Sequence, residues 1–161
     1  MYLSERLHKG HDTSAFKSGK EPLDSWLQLH ALNAAAKRIG STFVWHDGGV
    51  VVAYYTLSAH LLIRDAVPRN IGRGDPDQIP AALLARLALA QELHGQGLGG
   101  VLLAEALGRV VAADVAIRYV VVDAIDDQAA KFYQHYGFRA TPVEGRLLRK
   151  VSDIVADLAV G

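Results

Sequence analysis

The chain has 161 residues, 50% of them hydrophobic and 21% charged, which suits one globular domain able to bury its own core. Its 17 basic and 17 acidic residues cancel, so global charge gives no argument for a nucleic-acid partner and leaves only a local basic patch open. The absence of cysteine excludes disulfides, zinc–thiolate sites and thiol nucleophiles.

The opening segment, Met1 to Leu7, has no apolar core of signal-peptide length, and no run in the chain is long enough to span a bilayer. A cytoplasmic protein with no membrane contact is the expectation. Tyr2 to Leu7 alternates and reads as a first strand. Glu21-Pro22-Leu23-Asp24-Ser25-Trp26-Leu27 opens a helix in which Leu23, Trp26, Leu27, Ala31, Ala34 and Ala35 share a face. Lys37-Arg38 falls in its last turn and Gly40 ends it. Thr42–His46 and Val50–Leu57 then flank the turn signal Asp47-Gly48-Gly49 and predict a hairpin.

Arg64 to Pro80 carries three prolines and two glycines with few apolar residues, and reads as a long loop of the kind more often functional than structural. Leu83 to Leu89 reads as a buried strand, although periodicity alone also permits a helix. After a glycine-rich turn, Leu102, Leu103, Ala106, Leu107, Val110 and Val111 line one face of a helix. Tyr119 to Asp123 is a further strand. Asp126 suits the N-cap of a helix from Asp127 to Tyr136, which Gly137 ends. Arg146 to Val151 is a last strand, and Ser152 caps a terminal helix. With no repeat, linker or low-complexity tract, the pattern predicts a single α/β domain over residues 1–161.

Two segments carry chemistry. In His94-Gly95-Gln96-Gly97-Leu98-Gly99-Gly100, four glycines between a strand and a helix let the backbone approach a ligand with its N–H groups turned inward. The positive end of the following helix dipole then suits a pyrophosphate. A plain strand-to-helix turn has the same composition. The dinucleotide spacing Gly-x-Gly-x-x-Gly is met by Gly95, Gly97 and Gly100, but the loop lies mid-chain after a hairpin, where that motif does not belong. The second segment is Ala130-Lys131-Phe132-Tyr133-Gln134-His135-Tyr136-Gly137-Phe138.

Together these segments resemble the Gcn5-related N-acetyltransferase (GNAT) family. Its pyrophosphate loop reads Arg/Gln-x-x-Gly-x-Gly/Ala, matched by His94 to Gly99 except at the first position. Its later Phe-Tyr-x-x-x-Gly-Phe is matched throughout by Phe132 to Phe138. Phe16-x-x-Gly19, Leu23 to Leu27, Tyr54 to Ala59, Ile79-Pro80 and Arg86 to Leu89 resemble, more narrowly, the acetyltransferase toxins of bacterial toxin–antitoxin pairs. The chain departs from that pattern at Ala90, where an acidic residue is usual, and at His94.

The resemblance implies a mixed central sheet flanked by helices and acetyl-CoA as co-substrate. The cofactor would be held by Leu87, Ala88, Leu89, His94, Gly95, Gln96, Gly97, Leu98, Gly99 and Gly100. It also implies an aminoacyl-tRNA substrate, a ribbon-helix-helix antitoxin as partner, and room for a homodimer. An amine attacking a thioester forms an oxyanion and expels a thiolate. The resemblance assigns the oxyanion to backbone N–H groups at the end of the Leu87–Leu89 strand and proton donation to Tyr133, whose phenol titrates near 10 against about 8.5 for a thiol. A core tyrosine with a hydrogen-bonded hydroxyl is the plainer account of Tyr133.

No carboxylate base stands in these motifs, which favours an α-amine over a lysine as acceptor. Lys37, Arg38, Arg64, Arg69, Arg73 and Arg86 are candidates for a tRNA-facing patch, against the simpler reading of a solvated surface. Trp26 reads as core. One of Tyr54 and Tyr55 should face the core and the other a cleft or an interface. His8 and His11 are three apart without a metal motif, so no metal site is expected. Two other functions compete: an acetyltransferase for a small amine or a protein N-terminus, and a non-catalytic acyl-CoA-binding module.

Overall fold

The computed structural model describes residues 2–160; Met1 and Gly161, the outer bounds expected for the domain, lie outside them. Seven strands, β1 (Leu3–Arg6), β2 (Ser41–Asp47), β3 (Val50–Ile63), β4 (Gln78–Leu89), β5 (Tyr119–Asp123), β6 (Arg139–Ala140) and β7 (Arg146–Lys150), form one sheet in the order β1-β2-β3-β4-β5-β7-β6. The sheet is mixed: β4 and β5 are parallel, whereas β1–β2, β2–β3, β5–β7 and β6–β7 are antiparallel. The helices are α1 (Glu21–Leu29), α2 (Ala31–Ala36), α3 (Leu98–Val111), α4 (Asp127–His135) and α5 (Val151–Val160). Among the described residues no helix is long and apolar enough to cross a membrane.

The residues group into two compact units. The first takes the chain up to Ser58 together with Ala85–Ala106; the second takes Ala59–Leu84 and the chain from Leu107 onward. In the first unit, Leu7, Phe16, Leu27, Ala31, Val44, Val51, Tyr54, Ala88 and Ala90 form a buried cluster against which Leu23, Trp26 and Val52 pack. In the second, Leu62, Val67, Ile79, Ala81, Tyr119, Val121 and Leu148 do the same.

The expected hairpin turn is present. Gly48 and Gly49 have φ of 58° and 91°, the two left-handed residues that a tight hairpin matching strand twist requires. The single long helix expected after Glu21 is instead two, because His30 leaves helical geometry at φ −125°. Its end also differs. Arg38, not Gly40, takes the left-handed conformation (φ 60°), and the Ile39 N–H closes back on the Ala34 carbonyl at 3.0 Å. Gly40 is needed for another reason: a Cβ there would stand 3.2 Å from the Thr56 methyl.

Strand β4 starts earlier than expected and absorbs Ile79 and Pro80, shortening the loop. A short β6 was not foreseen. Ser152 lies inside the first turn of α5 rather than capping it, since the helix opens at Val151. Asp126 caps α4 as expected, its side chain accepting the Ala129 N–H at 2.8 Å.

The placement of α3 rests on one carboxylate. Glu105 accepts hydrogen bonds from the Ser4 hydroxyl (2.6 Å), the Trp45 indole N–H (3.0 Å) and the Tyr55 hydroxyl (2.7 Å), one donor from each of β1, β2 and β3. Leu102, Leu103 and Ala106 bury the apolar face beside it. Glu105→Ala removes the acceptor of three charge-assisted bonds and is expected to cost about 3–5 kcal/mol. Glu105→Gln, which keeps one acceptor oxygen, should cost about half of that. Urea unfolding measures both. A midpoint that does not move in the alanine variant would mean that apolar packing alone holds the helix.

Candidate functional site

In the first unit, parallel pairing of β4 with β5 has already ended at Leu83. Beyond it the strand runs on through Leu87, half-buried, Ala88, buried, and Leu89, half-buried. Ala90, where the related pattern has an acidic residue, is 3% exposed in the apolar cluster, and its N–H donates to the Val52 carbonyl at 2.8 Å. A carboxylate there would be desolvated without a partner, so alanine suits the position.

A 3-10 turn, Gln91–Leu93, leads into the glycine loop. The His94 ring turns back and its Nε2–H donates to the Leu89 carbonyl at 2.8 Å. In the position where the family has Arg or Gln, His94 therefore ties the loop to the strand end. Gln96 reaches the Glu92 carbonyl at 3.4 Å. Gly95 and Gly97 have φ of 80° and 76°, and a Cβ on either would meet nothing within 4 Å. Among the described residues, no backbone carbonyl accepts from the N–H of Gly95, Gln96 or Gly97. Leu98, Gly99 and Gly100 form the first turn of α3. An exposed, open loop with free N–H groups ahead of a 14-residue helix has the chemistry to hold a pyrophosphate.

In the second unit, Tyr133 lies on α4 with its ring 8% exposed, edge-on to Phe132 and Phe138. No hydrogen bond holds its hydroxyl, yet no buried polar side-chain atom among the described residues lacks a partner. The hydroxyl tip therefore reaches solvent while the ring does not. Burial pushes its pKa well above the ordinary phenol value. The plainer account, a hydroxyl tied into the core, fails here.

The 64–77 segment of the same unit is held from beneath. Asp75, 1% exposed, accepts from Arg118 Nε at 2.8 Å and from the Tyr119 hydroxyl at 2.6 Å. Burial first, and the bond to Asp75 second, push Tyr119 up to about 12. Arg64 donates to the Asp75 carbonyl and faces Asp77 at 3.8 Å. Arg64, Arg69 and Arg73 line one cavity of about 940 Å³ with Asp65 and Asn70. Arg69 and Arg73 have no side-chain partner among the described residues. Arg86 lines a different pocket, in the first unit, together with Lys37.

Three other expectations need correction or extension. Tyr54 and Tyr55 are both fully buried, donating to the Leu23 carbonyl (2.6 Å) and to Glu105, so neither lines a cleft. Alternation along β3 was read correctly, but both faces of the strand are covered. Trp26 packs on the core as expected and also lines a pocket. Lastly, β1–β2 pairing brings Glu5, His8, His11 and His46 together. Glu5 Oε1 accepts from Nε2 of His11 (2.7 Å) and of His46 (2.8 Å). Each Nδ1 in turn accepts a backbone N–H: Gly10 to His8, His8 to His11 and Gly49 to His46. A backbone N–H only donates, so all three rings carry their proton on Nε2. A metal-binding imidazole needs that atom's lone pair and donates its other N–H outward. The cluster has the opposite polarity and is a hydrogen-bond clamp on the 8–12 turn.

Comparison with known proteins bears on the family. The family description "Acetyltransferase (GNAT) domain" matches residues 74–148. A protein named tRNA-acetylating toxin, from Mycobacterium tuberculosis, is 36% identical over 141 residues, 86% of this chain and 85% of its own. The structure of AtaT complexed with acetyl-methionyl-tRNAfMet superposes with a TM-score of 0.89 at 27% identity, covering 98% of this chain and 99% of AtaT. A mutant AtaT toxin bound to the C-terminus of the antitoxin AtaR and acetyl-CoA gives 0.82 at 26%, with 97% of each chain covered. The chain belongs to the GNAT acetyltransferase family, where its likeness falls among the GNAT toxins.

Proposed function

We propose that this acetyltransferase transfers the acetyl group of acetyl-CoA to the α-amine of aminoacyl-tRNA and so arrests translation. The observation that carries the proposal is the match, over most of both chains, to a protein named for acetylating tRNA. Residues 1–161 act as one catalytic domain on this reading, since the chain passes between its two units three times. An antitoxin that covers the enzyme is the expected partner, by analogy with AtaR on AtaT. The cytoplasm, where charged tRNA is found, is the expected location.

The chain's own groups supply the following steps. The free N–H groups of Gly95, Gln96 and Gly97, with the N-terminus of α3, hold the pyrophosphate. Backbone N–H groups of Leu87 to Leu89, beyond the last residue paired with β5, meet the oxygen of the thioester carbonyl that acetyl-CoA brings. Tyr133 donates its phenolic proton to the departing sulfur, and the proton shed by the newly acylated nitrogen returns through solvent to the phenolate. Its raised pKa keeps it protonated at any physiological pH, so the donor is always loaded, while the low polarity around the ring also weakens the thiolate as an ion. Arg64, Arg69 and Arg73 contact phosphates of the acceptor. Acetylation turns the aminoacyl nitrogen into an amide whose lone pair is delocalised into the carbonyl, so it accepts no peptide.

Three measurements test this. A valine at Gly97 is strained by about 1–2 kcal/mol at positive φ. Gly97→Val is therefore expected to weaken acetyl-CoA binding about tenfold or more in calorimetry, with the fold kept. Equal affinity would remove the loop from the cofactor site. Tyr133→Phe should lower kcat by about two to four orders of magnitude with acetyl-CoA affinity retained. Because burial raises the phenol's pKa, the wild-type initial rate, corrected for hydrolysis of the substrates, should show no loss of an acid between pH 7 and about 9; such a loss would assign the acid to another group. In a cell-free translation reaction, N-acetyl-aminoacyl-tRNA should appear only with acetyl-CoA present. Alanine at Arg64, Arg69 and Arg73 together should weaken inhibition and flatten its salt dependence. Acetylation of polyamines or protein N-termini with charged tRNA left untouched overturns the acceptor assignment.

A further inference from the structure

His60, Asp123 and Arg146 stand together within the second unit. Arg146 is the β7 residue in register with Asp123, the last residue of β5. Its Nε and Nη2 donate to the two oxygens of the Asp123 carboxylate at 2.8 and 2.9 Å, a planar fork on a planar acid. That bond holds the Asp123 carboxyl below its ordinary pKa, so the fork stays charged. The remaining nitrogen, Nη1, lies 3.2 Å from Nε2 of His60 on β3. In the sheet order β3-β4-β5-β7, this third bond spans the two intervening strands.

Its place in the sheet gives the link a use. Pairing of β5 with β4 ends at Val121, and among the described residues Val122 and Asp123 are in register with β7 alone. Side chains take over there: the fork and the His60 bond tie the end of β5 back to β3. The Ala124 N–H then donates to the Gly145 carbonyl at 2.9 Å, and Asp126 caps α4, the helix that bears Tyr133. The chain turns from fork into helix within a few residues, so the fork helps to set the direction in which α4 leaves the sheet.

The link also has a chemical condition. A guanidinium only donates, so Nε2 of His60 must accept and the ring proton sits on Nδ1. Protonating the ring puts an N–H on Nε2, facing the N–H of Arg146, and sets one cation beside another. The bond is then lost. The charged neighbours of His60 are Arg146 from β7 and Asp123 from β5. Burial first, and Arg146 second, lower its pKa below the ordinary imidazole value, against the opposite pull of Asp123. With the folded pKa lowered, the link is whole above about pH 6.5 and is lost as pH falls through the lower value.

We propose that His60 and Arg146 are positioning residues for α4: through Asp123 the neutral imidazole holds the end of β5 from which this helix departs, and a proton on the ring releases it. The proposal rests on Tyr133 of that helix acting as proton donor. It gives the enzyme a sensitivity to acid beyond the titration of the acceptor amine.

The test compares wild type with His60→Gln and His60→Leu in acetylation of a total charged-tRNA fraction, from about pH 5 to about pH 7.5. Glutamine offers Arg146 an acceptor oxygen at every pH, whereas leucine offers none. His60→Leu should lower kcat by about tenfold or more at neutral pH, with the KM for acetyl-CoA unchanged. His60→Gln should stay within about threefold of wild type there. The ratio of wild-type to His60→Gln rates cancels titration of the acceptor amine, which both enzymes share. That ratio should fall by roughly threefold or more toward the acid end. In nitrogen NMR spectra of isotope-labelled histidine at neutral pH, His60 should carry its proton on Nδ1, and Arg146→Met should remove that preference. A ratio flat with pH, wild-type kcat in His60→Leu, or a neutral His60 with its proton on Nε2 overturns the proposal. If Tyr133→Phe keeps the wild-type rate while the ratio still falls in acid, the proton-donor reading fails and the link stands. If Tyr133→Phe is inactive and the ratio is flat, the link fails and the proton-donor reading stands.

Discussion

Glu105 is the constraint on which the first unit depends. Its carboxylate has no cation beside it among the hydrogen bonds described; it is met by a hydroxyl, an indole and a phenol from three successive strands. Such a group satisfies its lone pairs only if all three donors arrive in register, so it fixes the rotation of α3 as well as its position. The N-terminal turn of that helix follows directly on the glycine loop. Loop N–H groups that hold an anion are useful only when already aimed, since aiming them at the moment of binding would cost conformational entropy. A carboxylate two turns away from the loop thus prepares it.

The second unit uses the same device differently. Asp75 is buried under the arginine-bearing segment and held by Arg118 and Tyr119. Here the carboxylate belongs to the loop and the donors to the frame. The effect is to turn a polar, proline-rich stretch into a shaped wall, with Arg69 and Arg73 free of protein partners. Charges that are ordered but unpaired are the form in which a protein stores affinity for a polyanion.

Local chemistry was legible in the sequence and long-range pairing was not. Asp47-Gly48-Gly49 announced its turn because only glycine takes those angles cheaply, and the Asp126 cap and the glycine loop were readable for equally local reasons. The break at His30 left no mark, since the apolar spacing runs straight through it. Both tyrosines of β3 were bound to face opposite sides; that both sides are covered depends on α1, α2 and α3 arriving from elsewhere in the chain. Glu105 meets a donor 101 positions away, and Asp75 one 44 away, separations across which no motif extends. The histidines of the clamp were scattered in sequence and gathered by strand register. For Tyr133 the motif singled out the residue, whereas the depth of its ring came only from packing.

The interleaving of the two units sets an order of events during synthesis. The first unit lacks its part of β4 and of α3 until Ala106 has been added, by which time the opening stretch of the second unit, Ala59–Leu84, has already been synthesised. Its early elements, α1, α2 and the hairpin, are made before the stretch that carries Ala88 and Ala90, so their apolar faces are uncovered for the time it takes to make that stretch. The glycine loop is among the last parts of this unit to be made, and the tyrosine of α4 comes later still. A chain cut short anywhere before α4 therefore lacks both a finished second unit and the tyrosine proposed as proton donor. On the proposed mechanism, the ribosome that makes this protein meets no acetylating activity from it until the polypeptide is nearly complete.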